Sequence, residues 1–227
     1  MKEELFTYLL GVFTTIFSVV NPLGMIPVFL SLTANDDSKY RALLAKKSSI
    51  YMILILSFFL MLGNFIMDFF GISLISLRIA GGIIVLRSGF DLLNNTKNKR
   101  AISRQLEAEA IVKQDISLTP LAMPLLSGPG SIAAIVSMAS RKIDFRFRST
   151  LPMSDANIAI VLILVAIVAC GIISYLIMRS SAKILPLLGT AGLEAISKIM
   201  GFITMTVGVQ FILNGITGYL SKYHFIH

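Results

Sequence analysis

Asn21-Pro22-Leu23-Gly24-Met25-Ile26-Pro27 and Pro124-Leu125-Leu126-Ser127-Gly128-Pro129-Gly130 are two proline-interrupted stretches set in apolar sequence. Each contains Pro-Leu, and in each a second proline follows the first at the same spacing, Pro22 to Pro27 and Pro124 to Pro129. A proline inside a helix removes a backbone donor and clashes with the preceding turn. In hydrocarbon the freed carbonyl finds no water unless the break lines a cavity or is buried in protein. Matched breaks in two halves of a membrane chain point to a solute site.

The surrounding sequence fits a membrane. Of 227 residues, 56% are hydrophobic and 14% charged, against about 25% charged in soluble domains. Mean hydropathy is +0.83. A span needs roughly 20 apolar residues. Six segments meet or approach that length: 5–33, 50–70, 72–93, 116–140, 157–178 and 195–220. The first is too long for a signal peptide, and Glu3 and Glu4 spoil a basic leader region. The expectation is an all-α polytopic membrane protein of six transmembrane helices, a single domain over 1–227 in a lipid bilayer. Helices one and four would be broken at mid-membrane.

The net charge of +8 does not point to nucleic acid, because the basic residues fall in short loops between spans. Loops after segments one, three and five hold twelve Lys and Arg; the other side holds seven, with Arg87 set aside inside a span. This bias places both termini outside. The stretch 141–148, with Arg141, Lys142, Arg146 and Arg148, runs against it. The one cysteine, Cys170, reads as an apolar space-filler and leaves the redox compartment unread. His224 and His227 lie in a C-terminal tail without a partner carboxylate or thiol, so no metal site is expected. No zinc-protease motif, phosphate loop or nucleophile elbow occurs, and the chain is not expected to be an enzyme.

The chain looks duplicated. Arg78-Ile79-Ala80-Gly81 resembles Lys198-Ile199-Met200-Gly201, and the proline motifs recur in the same order ahead of them. Repeat one would cover about 5–94, a cytoplasmic link 95–115, and repeat two 116–220. Three spans per half make the second half insert upside down. In the link, Ile102, Leu106 and Ile111 suggest a short amphipathic helix.

Segment one is longer than the hydrocarbon core requires, and a break at 21–27 resolves the excess. Asn21, directly before a proline, is biased out of the α region and is expected to cap the following half-helix. Segment four repeats the device with Ser127-Gly128-Pro129-Gly130. Half-helix N-termini suit a carboxylate, and the preceding C-terminal carbonyls suit an ammonium group or sodium. No carboxylate is expected near either break, which favours a zwitterion or neutral polar solute of small size. The candidate substrate-binding residues are Asn21, Gly24, Ser127, Gly128 and Gly130, shaped by the helix-breaking Pro22, Pro27, Pro124 and Pro129.

Other polar groups read as support. Arg87 and Asp91 share a helical face; they read either as a gate or proton relay or, the favoured expectation, as a snorkelling arginine with an i+4 partner. Asp68 and Arg78 bracket an outer turn; Glu194 and Lys198 anchor an inner end. Thr204, Thr206, Gln210 and Asn214 either bond between helices or line the pathway. Gly81, Gly82 and Gly201 suit close helix packing.

At these residues the chain resembles a known family. The run from Val20 to Thr33 is similar to the first-helix signature of the MarC family of bacterial inner-membrane proteins. Pro124 to Ile132 resembles its second signature, Arg78-Ile79-Ala80-Gly81-Gly82 its third-helix motif, and Val209-Gln210-Phe211-Ile212-Leu213-Asn214-Gly215-Ile216 its ending. The resemblance covers about residues 5–218. It implies six spans, outside termini and kinship with the LysE-type exporters. Its transport-characterised relatives, the SnatA proteins, move small neutral amino acids such as glycine and alanine. The basic 141–148 loop departs from the family pattern.

The expected function is secondary transport of a small neutral amino acid across the inner membrane, without a cofactor. Coupling to sodium or a proton, the direction of transport and the oligomeric state stay open. The rivals are a non-transporting membrane scaffold or regulator and a metal-ion exporter of the TerC type, which needs acids facing the pathway.

Overall fold

The computed structural model describes residues 2–94, 116–139 and 156–222. The expected link helix at 95–115, the basic 141–148 stretch and both histidines lie outside the described residues. The described chain is helical nearly throughout. In order it forms α1 (Lys2–Val20), α2 (Ile26–Leu32), α3 (Ser38–Phe70), α4 (Leu74–Leu93), α5 (Ser117–Leu126), α6 (Pro129–Ala139) and α7 (Ala156–Lys222). Segments one and four are the broken ones: α1 and α2 flank residues 21–25, and α5 and α6 flank residues 127–128. The helix α7 turns at Gly189 into two arms, Ile158–Gly189 and Ala191–Lys222. Gly189 has φ 64° and ψ 177°, a combination open essentially to glycine alone.

Among the described residues, three helices are long and apolar enough to cross a membrane: α3 and both arms of α7. At 20 residues, α4 has the length but carries Arg78, Arg87 and Asp91. The outer surface is apolar: Met61, Phe65 and Phe69 are 71%, 67% and 74% exposed. So large a patch is untenable in water and ordinary against lipid. The chain is an all-α, multi-pass membrane protein.

Inside, α1 buries Tyr8, Val12, Ile16 and Val20, one per turn. They join Leu44, Met52, Leu56 and Leu60 of α3 and Ile163, Ile167 and Cys170 of the first α7 arm in one core. Cys170 is fully buried, as a space-filler should be.

Two boundaries differ from expectation. Helix α3 starts at Ser38 rather than near residue 50, with Asp37 Oδ1 accepting from the Tyr40 N–H at 2.8 Å. Lys39, Arg41, Lys46 and Lys47 therefore sit on a helix, not in a loop. Leu44, Ala45, Ser48 and Ser49 continue the buried stripe of α3 through them. Arg41 folds back so that Nη2 donates to the Thr33 carbonyl at 2.8 Å, tying down the end of α2. Likewise the first α7 arm runs past residue 178 to Gly189, so Arg179 and Lys183 are helical.

The turn from α3 to α4 is set locally. Gly71 takes φ 64° in the left-handed region, and the Ile72 N–H reaches back to the Met67 carbonyl at 2.8 Å. Ser73 then caps α4 by accepting from the Ser76 N–H at 3.0 Å.

Helix α4 packs antiparallel on the second α7 arm, backbone to backbone. A Cβ on Gly82 would lie 2.8 Å from the Gly208 carbonyl oxygen, and one on Gly89 would lie 2.7 Å from that of Gly201. Further along, Gly215 meets Ile75 and Ile79. Gly82 and Gly201 thus serve close packing of α4 on the second α7 arm, and Gly81 serves close packing of α4 on α6, where an added Cβ would overlap Ala133.

Candidate functional site

The first break is held by bonds that replace what proline removes. The Asn21 N–H still reaches the Phe17 carbonyl at 2.8 Å, completing the last turn of α1. Asn21 itself turns to φ 49°, in the left-handed region that asparagine enters more readily than other side chains. Pro22 has no N–H to offer the Ser18 carbonyl four residues back. Thr204, from the second α7 arm, supplies a hydroxyl to that carbonyl at 2.7 Å. Thr204 therefore both bonds between helices and lines the cavities described below.

Asn21 caps differently from expectation. Its Oδ1 accepts from the Gly24 N–H at 3.1 Å, closing the turn within the break. The following half-helix, α2, is preceded by Met25 and has no side-chain cap. The turn inserted by the left-handed Asn21 puts the start of α2 beyond the reach of a short amide. A Cβ on Gly24 would overlap Asn21 Nδ2, so the two residues form one unit. Pro27 sits in the first turn of α2, where an N–H has no intrahelical acceptor to lose.

The second break is wider. Thr119 and Met123 have extended backbones, φ/ψ −129°/122° and −131°/123°. Each directly precedes a proline, Pro120 or Pro124, whose ring disfavours the α region for its predecessor. The intervening bonds accordingly span five residues: Leu121 N–H to the Ile116 carbonyl at 3.3 Å, and Ser127 N–H to the Ala122 carbonyl at 2.8 Å. Pro129 opens α6, and the Ile132 N–H returns to the Gly128 carbonyl at 3.1 Å. The Ser131 hydroxyl donates to the Leu126 carbonyl at 3.2 Å. In both breaks a hydroxyl thus takes a carbonyl at the end of the preceding helix. That leaves the N–H groups of the first turn of α6, at Gly130 and Ser131, as the open backbone donors.

Two adjoining cavities lie at the breaks. One of about 220 Å³ is bounded by Asn21, Gly24, Met25 and Val28 of the first break and by Ser88, Asp91 and Leu92 of α4. The other, of about 110 Å³, is bounded by Gly128, Pro129, Gly130 and Ser131 with Ile84 and Val85 of α4. Val19, Ser88, Leu125 and Thr204 line both. A Cβ on Gly130 would lie 2.8 Å from Val85 Cγ2, so glycine there lets α6 approach α4.

Of the expected site residues, Asn21 and Gly24 border the first cavity, and Gly128, Gly130 and Pro129 the second. Ser127 borders neither; it is fully buried, and its hydroxyl has no hydrogen-bond partner. Pro22 and Pro27 act through the backbone rather than on the cavity wall.

The expectation that no carboxylate lies near a break is corrected. Asp91 of α4 lines the first cavity beside Asn21. It is half-buried, whereas Arg87 one turn earlier is exposed. The two share no ion pair, so the expected i,i+4 partnership does not form. Helix α4 closes the break from the side; its Ser88 and Asp91 reach the cavity from a different segment, which the sequence around each break does not contain. The available signal was an acid inside an apolar helix.

A third cavity, of about 620 Å³, lies at the other end of α4, bounded by Asp68, Ser73, Arg78 and Lys222. Between it and the breaks, α4 touches α6: Gly81 faces Ala133, and Arg78 Nε donates to Ser137 Oγ at 3.3 Å.

The family described as MarC family integral membrane protein matches residues 6–220. The UPF0056 membrane protein MJ1677 of Methanocaldococcus jannaschii is 38% identical over 214 residues, covering 94% of this chain and 98% of that protein. The UPF0056 inner membrane protein MarC of Escherichia coli K12 is 38% identical over 212 residues, covering 91% and 92%. The protein of the same name from Shigella flexneri matches equally. No solved structure matches the chain. The chain belongs to the MarC family of integral membrane proteins.

Proposed function

We propose that this protein is a secondary transporter, not an enzyme, and that it carries small neutral amino acids of the glycine and alanine class across the cell's inner membrane. The observation that carries the proposal is the pair of adjoining cavities between two broken helices. Substrate sites of secondary transporters are characteristically built this way. A volume of about 220 Å³ falls below the 300–1,000 Å³ usual for drug-sized ligands, which favours a solute of few heavy atoms. Asn21 and the α6 N-terminus are the groups suited to its carboxylate.

The proposed architecture is two inverted repeats of three spans, over 5–94 and 116–220, with both termini outside. Its support is the order of elements. A helix pair broken at proline, α1–α2 or α5–α6, precedes a glycine-bearing helix in each half, α4 or the second α7 arm. Those two glycine-bearing helices pack antiparallel on each other through Gly82, Gly89, Gly201 and Gly208. Inverted repeats pair equivalent helices in this way. The contacts of Gly81 with Ala133 and of Arg78 with Ser137 would close the passage on one side, and rocking of one repeat would open it.

Among the described residues a metal exporter would draw on Asp91 as the one acidic side chain lining the break cavities, whereas cation sites such as those for Ca²⁺ usually gather several carboxylates. Uptake of labelled glycine and alanine into liposomes holding the purified protein tests the proposal, with and without sodium or proton gradients. Saturable uptake competed by unlabelled alanine is expected. Asn21→Leu is expected to abolish uptake while still inserting; uptake equal to wild type from that variant would remove the break from the site.

A further inference from the structure

We propose that the Asp91 carboxylate receives the protonated amino group of the solute, so that the carrier selects amine-bearing solutes over carboxylates that lack an amine. This rests on the transport reading above and specifies its substrate class. Asp91 lines the larger of the two break cavities with Asn21 and Gly24, and among the described residues no Lys, Arg or His lines it. Its helical neighbour Arg87 is exposed and makes no ion pair with it. The carboxylate therefore faces a half-buried space whose described lining holds no basic side chain. The opposite charge of an ammonium group supplies the partner that a carboxylate away from water needs.

Asn21 supplies the complementary end. Because Oδ1 is committed to the Gly24 N–H, the amide presents its two Nδ2 hydrogens as donors. The open N–H groups of Gly130 and Ser131 adjoin, across the shared residues Ser88 and Thr204. The walls thus offer acceptors at Asp91 and donors at Asn21 and α6, the polarity of an α-amino acid zwitterion. A short amine or amino-acid amide keeps the favourable half of this match. A hydroxy acid or simple carboxylate meets Asp91 with its negative charge uncompensated.

The test is competition against labelled alanine uptake in proteoliposomes of the full chain, with alaninamide and lactate as probes at matched concentration. For wild type, alaninamide is expected to compete and lactate not. Asp91→Asn is expected to raise the alanine KM about tenfold or more, the loss of a charge-assisted hydrogen bond, and to lessen the exclusion of lactate. Asp91→Glu is expected to recover part of the selectivity, which a merely structural role does not predict. Lactate competing as well as alanine with wild type overturns the inference and needs no variant. So does Asp91→Asn that keeps wild-type KM and competitor ranking while losing only its response to a proton gradient, since Asp91 is then a proton carrier. Absence of any saturable alanine uptake by folded wild type instead removes the transport reading itself, and this inference with it.

Discussion

At the scale of single residues, the first break shows how an interrupted helix survives in a membrane. Pro22 leaves the Ser18 carbonyl without its helical donor, and the Thr204 hydroxyl takes that place at 2.7 Å from a helix 186 residues further on. Thr204 is 1% exposed, so water offers no ready substitute. Thr204→Val keeps the shape and removes the donor. The expected cost is about 1 kcal/mol, in the range of interhelical hydrogen bonds in membrane proteins, with Thr204→Ser costing less. Thermal unfolding in detergent measures it, and a variant as stable as wild type would show that the carbonyl is satisfied otherwise. Transport should fall in Thr204→Val beyond what stability explains, because the same side chain lines both cavities.

At the scale of elements, glycines serve two different ends, and substitution separates them. At Gly89 the added Cβ would overlap Met205 N and lie 2.7 Å from the Gly201 carbonyl oxygen, both rigid backbone. Gly89→Ala must push α4 off the second α7 arm, at about 1–3 kcal/mol. At Gly71 nothing lies within 4 Å of the added Cβ, and the penalty is only the left-handed φ of 64°. Gly71→Ala should cost about 1–2 kcal/mol without moving the helices. Cross-linking between cysteines placed along α4 and the second arm distinguishes the two: it should weaken in Gly89→Ala and persist in Gly71→Ala. The two breaks were legible in the sequence because proline acts on its own neighbours, as the extended Thr119 and Met123 show. The start of α3 was not, since Lys39, Arg41, Lys46 and Lys47 look like a loop until the buried stripe of Leu44, Ala45, Ser48 and Ser49 is followed through them. Nor was the carboxylate at the site. Which face of α4 meets the first break depends on the glycine contacts with α7, a tertiary fact that the spacing of Arg87 and Asp91 does not contain.

At the scale of the whole molecule, the question is which way the chain lies in the bilayer. The structure puts Lys222 at the same cavity as Asp68 and Ser73, so the end of α7 and the α3–α4 turn share one end of the molecule. The turn between α2 and α3 lies across α3, whose 33 residues reach about 50 Å, at the opposite end. By the positive-inside rule the basic residues at the start of α3 are expected on the cytoplasmic side, and placing them on a helix rather than in a loop does not change that expectation. Lys222 is then expected outside. Cys170 is fully buried in the core, which keeps the native background silent towards a membrane-impermeant thiol reagent. In intact cells Lys222→Cys is expected to label, and Asn35→Cys, at an exposed position in the α2–α3 turn, only after the membrane is opened. The reverse pattern would invert the whole molecule without disturbing any internal contact. The Asp91 end of α4 would then face outward, and the side closed by Gly81 with Ala133 and by Arg78 with Ser137 would be the cytoplasmic one.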